Sequence, residues 1–309
     1  MGRGNPIFID EPELFLHPQA QRNFYKILRK LAEENDIQIF YIAHSPYLIS
    51  LENFDEIFAV RKTKEKGTYI RNADVDKFIK DLKIRMGIDS DEEKLKLYYK
   101  NAFEQTADSL SSLEAFFAKK VILVEGESET LILPYFFEKI GFDYIKEKIT
   151  IVKCGSKNEL DRFHRLYSEF GIPCFVIFDG DRNKENEEEQ KRINNEFFDV
   201  LRETEIKNFP NGEVHKNYLG FEYDFNCALK ETGFKDVYNE SNPKESPKGL
   251  KLFLKVKNQA EDSLEKVLVP KWIAEIRKKI ENLPQEVKSV LKRENMKEKE
   301  LMEYDDLSF

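Results

Sequence analysis

The pattern of apolar and polar residues is clearest between residues 120 and 203, where short apolar runs alternate with longer amphipathic stretches. The runs predict strands at 121–124, 149–153 and 174–178, and the stretches predict helices at 128–140, 158–170 and 185–203. Strands that alternate with helices predict a parallel sheet with right-handed crossovers. The runs are continuously apolar, as expected of strands that are covered on both faces. The pattern therefore predicts an α/β domain.

A shorter version of this pattern precedes that domain. Apolar runs at 7–9 and 37–43 predict two buried strands around a helix at 18–35, and a hairpin is expected at 57–71. A charged helical connector is expected from about 74 to 118. The region from 246 onward predicts two or three helices, which are broken near Pro270 and Pro284.

Composition and charge limit the possible functions. The 309 residues suffice for about two domains. The 50 basic and 58 acidic residues give a net charge of -8, so bulk charge cannot hold nucleic acid, and a local basic groove or bound metal ions would be needed. The three scattered cysteines exclude a disulfide framework and a cysteine zinc site. The sequence shows no signal peptide and no long apolar segment, so we expect a soluble cytoplasmic protein without a membrane partner.

The first candidate motif joins two of the predicted strands. Asp10 and Glu11 follow an apolar strand, in the form of a Walker B motif, and His44 follows the next strand. This arrangement resembles the ATP-binding cassette ATPases of the RecF-like and OLD (overcoming lysogenization defect) branch. The resemblance implies that Asp10 holds Mg²⁺, that Glu11 polarises the attacking water, and that His44 contacts the γ-phosphate.

The resemblance to an ATPase is incomplete. The phosphate loop GxxxxGK(S/T) is missing from the sequence, and so is the signature segment expected before the Walker B strand. Residues 1–62 are therefore expected to be the end of an ATPase domain. We expect no ATP hydrolysis by this chain alone, and ATP as a cofactor only if the rest of that domain is supplied.

The second candidate motif is acidic and lies at two strand ends of the α/β domain. Glu125 and Gly126 end the first strand, Glu129 follows one helical turn later, and Asp179-Gly180-Asp181 ends the third strand. Both strand ends open onto the same edge of a doubly wound sheet. Carboxylates that converge there would repel one another and would bind one or two Mg²⁺ or Mn²⁺ ions, which can activate water.

Residues 120–181 resemble a Toprim domain, which occurs in topoisomerases, primases and OLD-family nucleases. The resemblance implies that Glu125, Asp179 and Asp181 are the metal carboxylates. The VEGxxE form adds Glu129 and points to the OLD branch, as does the order of an ATPase segment before a Toprim segment. We expect four regions: the ATPase fragment at 1–62, the connector at 63–118, the Toprim domain at 119–235 and a helical region at 236–309.

The OLD resemblance also implies a second acidic cluster and a catalytic lysine. Glu222 and Asp224 are the candidates for a second metal, although an exposed acidic turn explains them equally well. Lys248 is the candidate lysine, with Lys251 in reserve, although a solvated side chain explains either residue. Ser156, at the end of the second strand, is a candidate phosphate contact.

The resulting hypothesis is a metal-dependent DNA endonuclease of the OLD type, regulated by ATP in complete family members, with a role in phage defence or DNA processing. Its expected partners are DNA and either a second copy or a chain that carries the missing ATPase part. Two alternatives remain. A primase or topoisomerase would need modules that this sequence lacks. The other alternative is a non-catalytic or partner-dependent subunit, because the ATPase motifs are incomplete.

Overall fold

The amino-terminal lobe contains two parallel strands and a helix. The computed structural model describes residues 5–63, 67–86, 91–106, 110–203, 208–261, 268–288 and 290. Strand β1 spans Ile7–Asp10, helix α1 spans Pro18–Asn35, and strand β2 spans Ile39–Ile42. The predicted helix is thus confirmed, and its first residue is a proline, which loses no hydrogen bond in the first turn.

The expectation that β1 and β2 are buried is wrong. Phe8 is 74% exposed, Phe40 46% and Ile42 63%, and the Phe8 and Phe40 rings stack with centroids 5.3 Å apart. Among the described residues, the two strands pair only with each other. Their apolar side chains therefore form an exposed face of this small sheet.

A hairpin and three helices connect this lobe to the main sheet. Strands β3 (Phe58–Thr63) and β4 (Gly67–Asn72) pair antiparallel, which confirms the predicted hairpin. The expected boundary after residue 62 falls inside β3. Helices α2, α3 and α4 span Val75–Met86, Glu92–Thr106 and Leu110–Glu114.

The main sheet has four parallel strands in the order β6-β5-β7-β8. Strands β5, β6, β7 and β8 span Lys120–Val124, Ile149–Lys153, Cys174–Asp179 and Tyr218–Phe221. The predicted α/β class is therefore confirmed. The fourth strand was not predicted, and it adds a new edge beside β7.

Helices cover both faces of this sheet. They are α5 (Glu127–Lys139), α6 (Lys157–Glu169), α7 (Glu187–Val200), α8 (Phe225–Glu231), α9 (Gly249–Glu261) and α10 (Lys271–Glu281). Alternate residues of β5 point to opposite cores: Leu123 packs in the core with α6 and α7, and Ile122 packs in the core with α5, α9 and α10. The first core also contains Phe54 and Phe78, so the connector packs against the α6 face. Residues 291–309 of the expected helical region lie outside the described residues.

Candidate metal centre

Two predicted carboxylates meet where neighbouring strands end. Glu125 follows β5, and Asp179 is the last residue of β7. Because the two strands are parallel neighbours, their carboxyl ends lie side by side. Glu125 Oε1 accepts a hydrogen bond from the backbone N–H of Asp179 at 2.9 Å. The structure thus brings these two residues into direct contact.

Glu129 faces the same strand ends from the first turn of α5. Its side chain is buried, with 4% exposure. A Cβ at Gly126 would lie 3.0 Å from Glu129 Oε2, so the glycine leaves the space into which this carboxylate folds back. The first turn of a helix also favours negative charge, because its backbone N–H groups point outward. Gly126 and Glu129 therefore belong to one local arrangement.

The unpredicted strand β8 brings Asp224 to the site. Asp179 Oδ1 accepts a hydrogen bond from the backbone N–H of Phe225 at 2.9 Å. Asp224 itself caps α8, since its Oδ1 accepts from Cys227 N–H at 2.8 Å. Glu222 forms an ion pair with Arg182. Of the two candidates for a second metal, Asp224 is the one beside Asp179.

Asp181 is buried and is bonded to two lysines that sequence reasoning missed. Its Oδ2 lies 3.3 Å from Lys157 Nζ, and its Oδ1 lies 3.0 Å from Lys184 Nζ. Lys157 also donates to Asn194 Oδ1 at 2.8 Å. Lys157 directly follows Ser156, which is itself a candidate, so its position at the start of α6, just after β6, could have pointed to it. For Lys184, the only indication in the sequence is its place three residues after Asp181.

Burial and mutual repulsion dominate the electrostatics of the site. Burial raises the pKa of Asp179 well above its usual value, and the nearby charges of Glu125 and Glu129 raise it further. Burial raises the pKa of Glu125 to about 7, although the positive charge of Lys157 opposes this shift. Burial also raises the pKa of Asp224. The cluster therefore holds more negative charge than its surroundings neutralise.

The donor chemistry of the cluster fits a hard divalent cation. Its members offer only oxygen ligands, which Mg²⁺ and Mn²⁺ prefer, and a cation would relieve the repulsion that raises these pKa values. Within the described part of the chain, no three His, Cys, Asp or Glu side chains already stand as a metal ligand set. Asp181 is held by lysines and Glu125 by a backbone N–H, so a bound ion would require these side chains to rearrange.

The remaining candidates lie near this edge with different partners. Lys248 is exposed and directly precedes α9, whose first residue Gly249 donates its N–H to Ser128 Oγ at 3.0 Å in the first turn of α5. Lys251 is exposed on α9. Ser156 caps α6, because its hydroxyl accepts from Glu159 N–H at 3.3 Å. The structure therefore gives Ser156 a structural role and places Lys248 next to the turn that carries Glu129.

The residues of the ATPase motif lie together at the ends of β1 and β2. Asp10 ends β1, and the following Glu11 has a left-handed backbone with φ 45°. His44 Nε2 lies 3.6 Å from Glu11 Oε1, and both side chains are exposed. The backbone N–H of His44 donates to Glu13 Oε1. The fold thus brings Glu11 and His44 together at this end of the small sheet.

A parallel α/β sheet with acidic residues at adjacent strand ends is the arrangement expected of a Toprim-type domain. Residues 116–181 match the family model described as "Overcoming lysogenization defect protein-like, TOPRIM domain". Residues 7–50 match the model described as "AAA domain, putative AbiEii toxin, Type IV TA system". The chain therefore combines an OLD-like Toprim domain with a preceding AAA-type segment, and the predicted resemblance to the OLD family is confirmed.

Relatives are similar over part of their length. The OLD nuclease of Thermus scotoductus is 30% identical over 178 residues, which cover 57% of this chain and 30% of that protein. The Old nuclease of Escherichia phage P2 is 31% identical over 179 residues, which cover 57% of this chain and 27% of that protein. This chain thus spans less than a third of these relatives. A solved C-terminal region of the Xanthomonas campestris pv. campestris OLD protein has a TM-score of 0.35 and 18% identity, over 54% of this chain and 94% of that one.

Proposed function

We propose that this chain is the catalytic part of an OLD-type, metal-dependent endonuclease that hydrolyses the phosphodiester bonds of DNA. The observation that carries this proposal is the contact between Glu125 Oε1 and the Asp179 backbone N–H, which joins two acidic strand ends of the sheet. The OLD-like Toprim match and the nuclease names of the two relatives support it.

The residues have distinct roles in this proposal. Glu125, Glu129, Asp179 and Asp181 hold one Mg²⁺ or Mn²⁺ ion, and Asp224 and Glu222 contribute to a second. Such ions supply an activated water and neutralise the charge on the phosphate. Lys248 stabilises the negative charge that develops on the phosphate, and Ser156 contacts a neighbouring phosphate group.

Plasmid cleavage tests this proposal. Supercoiled DNA is incubated with the protein and Mg²⁺ or Mn²⁺, and nicked and linear forms are quantified. Asp179→Asn and Glu125→Gln preserve side-chain shape and should abolish cleavage. Glu147→Gln is the matched control, since Glu147 is exposed and precedes β6 at the opposite edge of the sheet. Cleavage that survives both site substitutions would overturn the proposal.

ATP enters the proposal only through residues 1–62. Asp10, Glu11 and His44 form one part of an ATP site, and the sequence lacks a phosphate loop. This chain alone is therefore proposed not to hydrolyse ATP, and ATP regulation requires the rest of an ATPase domain. Turnover above background that Glu11→Gln abolishes would contradict this. A cytoplasmic role in phage defence or DNA processing completes the proposal.

The exposed face of β1 and β2 favours a second candidate function, a partner-dependent subunit of an ATPase–nuclease complex. Phe8, Phe40 and Ile42 are apolar and exposed there, and large exposed apolar surfaces mark interaction sites. A second copy or a chain with the missing ATPase part would cover them. Light scattering during size exclusion tests this, since an unaided, strictly monomeric nuclease would exclude it.

No described helix is long and apolar enough to cross a membrane.

A further inference from the structure

Asp181 is held by two lysines that differ in how firmly they are fixed. The Lys157 side chain is 6% exposed, whereas the Lys184 side chain is 59% exposed. Each lysine contacts a different oxygen of the same carboxylate, Lys157 at Oδ2 and Lys184 at Oδ1. The two oxygens of Asp181 are therefore not equivalent for any incoming cation.

Lys157 is part of a buried polar network. Its ammonium donates to Asn194 Oδ1 at 2.8 Å, and Asn194 has no exposed surface. Asn194 Nδ2 in turn donates to the backbone oxygens of Gly180 at 2.9 Å and Asn208 at 3.1 Å. Removing Lys157 from this position would leave buried polar groups without a partner, which is costly. The contact between Asp181 Oδ2 and Lys157 is therefore costly to break.

Lys184 is a largely exposed cation that contacts the carboxylate cluster through Asp181. Its ammonium lies 3.0 Å from Asp181 Oδ1, three residues along the chain. Burial lowers the pKa of Lys184, but the negative charges of Asp181, Glu125 and Asp179 outweigh it, so that the pKa is raised. Lys184 thus interacts with three of the acids assigned to the metal. Its largely exposed side chain can move away without breaking the buried network around Lys157.

We propose that Lys184 is the resident counter-ion of Asp181 in the metal-free protein and that a divalent ion must displace it, whereas Lys157 stays in place. Asp181 then offers Oδ1 alone to the ion. This inference rests on the proposed metal centre. It assigns Lys184 a positioning role, because its exposed ammonium competes with the ion for one oxygen of the Asp181 carboxylate.

Calorimetric titration of chelator-treated protein with Mn²⁺ tests the inference at fixed pH and salt. Lys184→Met removes the competing ammonium and should tighten Mn²⁺ binding about tenfold, given Coulomb energies at short range. Lys184→Arg keeps the positive charge and should stay within about twofold of the wild type. Lys191→Met is the matched control, because Lys191 on α7 also forms surface ion pairs, with Glu187 and Glu188. Circular dichroism confirms that each variant is folded.

The outcomes separate the inference from the proposed function. Equal Mn²⁺ affinities for Lys184→Met and Lys191→Met would overturn the role of Lys184 and leave the metal centre intact. Tighter binding by Lys184→Met but not by Lys184→Arg would support it. An absence of Mn²⁺ binding in every variant would overturn the metal centre, and the inference with it. Lys184→Gln repeats the test with a polar side chain of similar length.

Discussion

Arg165 and Asp81 form a buried ion pair, although 84 positions separate them in the sequence. The Arg165 guanidinium on α6 lies 3.1 Å from the carboxylate of Asp81 on α2, and both side chains are buried. Arg165 Nε also donates to Asp161 Oδ1 at 2.8 Å. Helix α6 begins at Lys157, beside the carboxylate cluster, and α2 belongs to the connector. The pair therefore fastens the connector to the helix that supplies Lys157.

Arg165→Met should lower the free energy of unfolding by about 3–5 kcal/mol, because it breaks a buried ion pair by removing one of its two charged partners. Urea unfolding measures the loss. The matched control is Arg192→Met, which removes an exposed ion pair with Glu196 and should cost less than about 1 kcal/mol. Similar losses in both variants would contradict a structural role for the buried pair.

Gly180→Ala should destabilise the protein by about 1–3 kcal/mol through overpacking. A Cβ at Gly180 would lie 2.5 Å from the backbone oxygen of Phe221 and 2.6 Å from that of Glu222, and neither can move without disturbing β8. In the comparison variant Gly126→Ala, the nearest atom is the flexible end of Glu129 at 3.0 Å, so the loss should be smaller. Thermal unfolding of the two variants measures both losses. A larger loss for Gly126→Ala than for Gly180→Ala would exclude overpacking against the backbone as the cause.

The elevated pKa of Glu125 predicts a pH dependence of stability in the metal-free protein. Burial raises this pKa from 4.5 to about 7, and Glu129, Asp179, Asp181 and Lys157 face the carboxyl group. A carboxyl group with a raised pKa stabilises the folded state below its unfolded pKa, and this contribution disappears as the pH rises through about 7. Relative to Glu125→Gln, the wild type should lose up to about 3 kcal/mol between pH 4.5 and pH 8, at about 1.4 kcal/mol per pKa unit.

Unfolding in urea with a chelator, at several pH values in that range, measures the difference between the wild type and Glu125→Gln. Parallel curves for the two proteins would contradict the prediction. Saturating Mg²⁺ should reverse the slope of the wild type, because the ion binds the ionised carboxylates of the folded protein.

His164 predicts the opposite pH dependence. Burial and, to a smaller extent, the positive charges of Arg165 and Arg202 together lower its pKa from 6.5 to about 3. A histidine with a lowered pKa binds its proton more readily in the unfolded chain, so stability falls as the pH drops from about 6.5 towards 3. In His164→Phe this loss should be absent. Thermal unfolding between pH 7 and pH 4 tests this, and equal acid sensitivity of both proteins would refute it.

Most of the main sheet was predictable from sequence because its first three strands are continuous apolar runs between amphipathic helices. Strand β8 was not, since Tyr218–Phe221 is short and contains Gly220. Its extended conformation depends on pairing with β7, where Phe221 lies opposite Asp179. The burial of β1 was predicted wrongly for a related reason: apolar character shows that a strand can be buried, whereas actual burial depends on neighbouring elements.

The candidate site also has a part that the sequence predicts and a part that depends on packing. The carboxylates at strand ends were predictable, because residue type, strand order and the adjacent glycine Gly126 all appear in the sequence. The partners of Asp181 were not predictable. Lys157 and Asn194 are separated by 37 positions, and only packing of α6 against α7 brings them together. Lysines are also frequent in this chain, so no single one stands out.

The separation between Glu125 and Asp224 also has a consequence for biosynthesis. These residues contact the same cluster, yet a ribosome that adds about 5–20 residues per second needs about 5–20 s to pass from one codon to the other. Throughout that interval the growing chain has its first acidic strand end but lacks the fourth strand and its aspartate. The acidic cluster therefore cannot include Asp224 until its codon has been translated, and a polypeptide interrupted before that codon lacks this carboxylate.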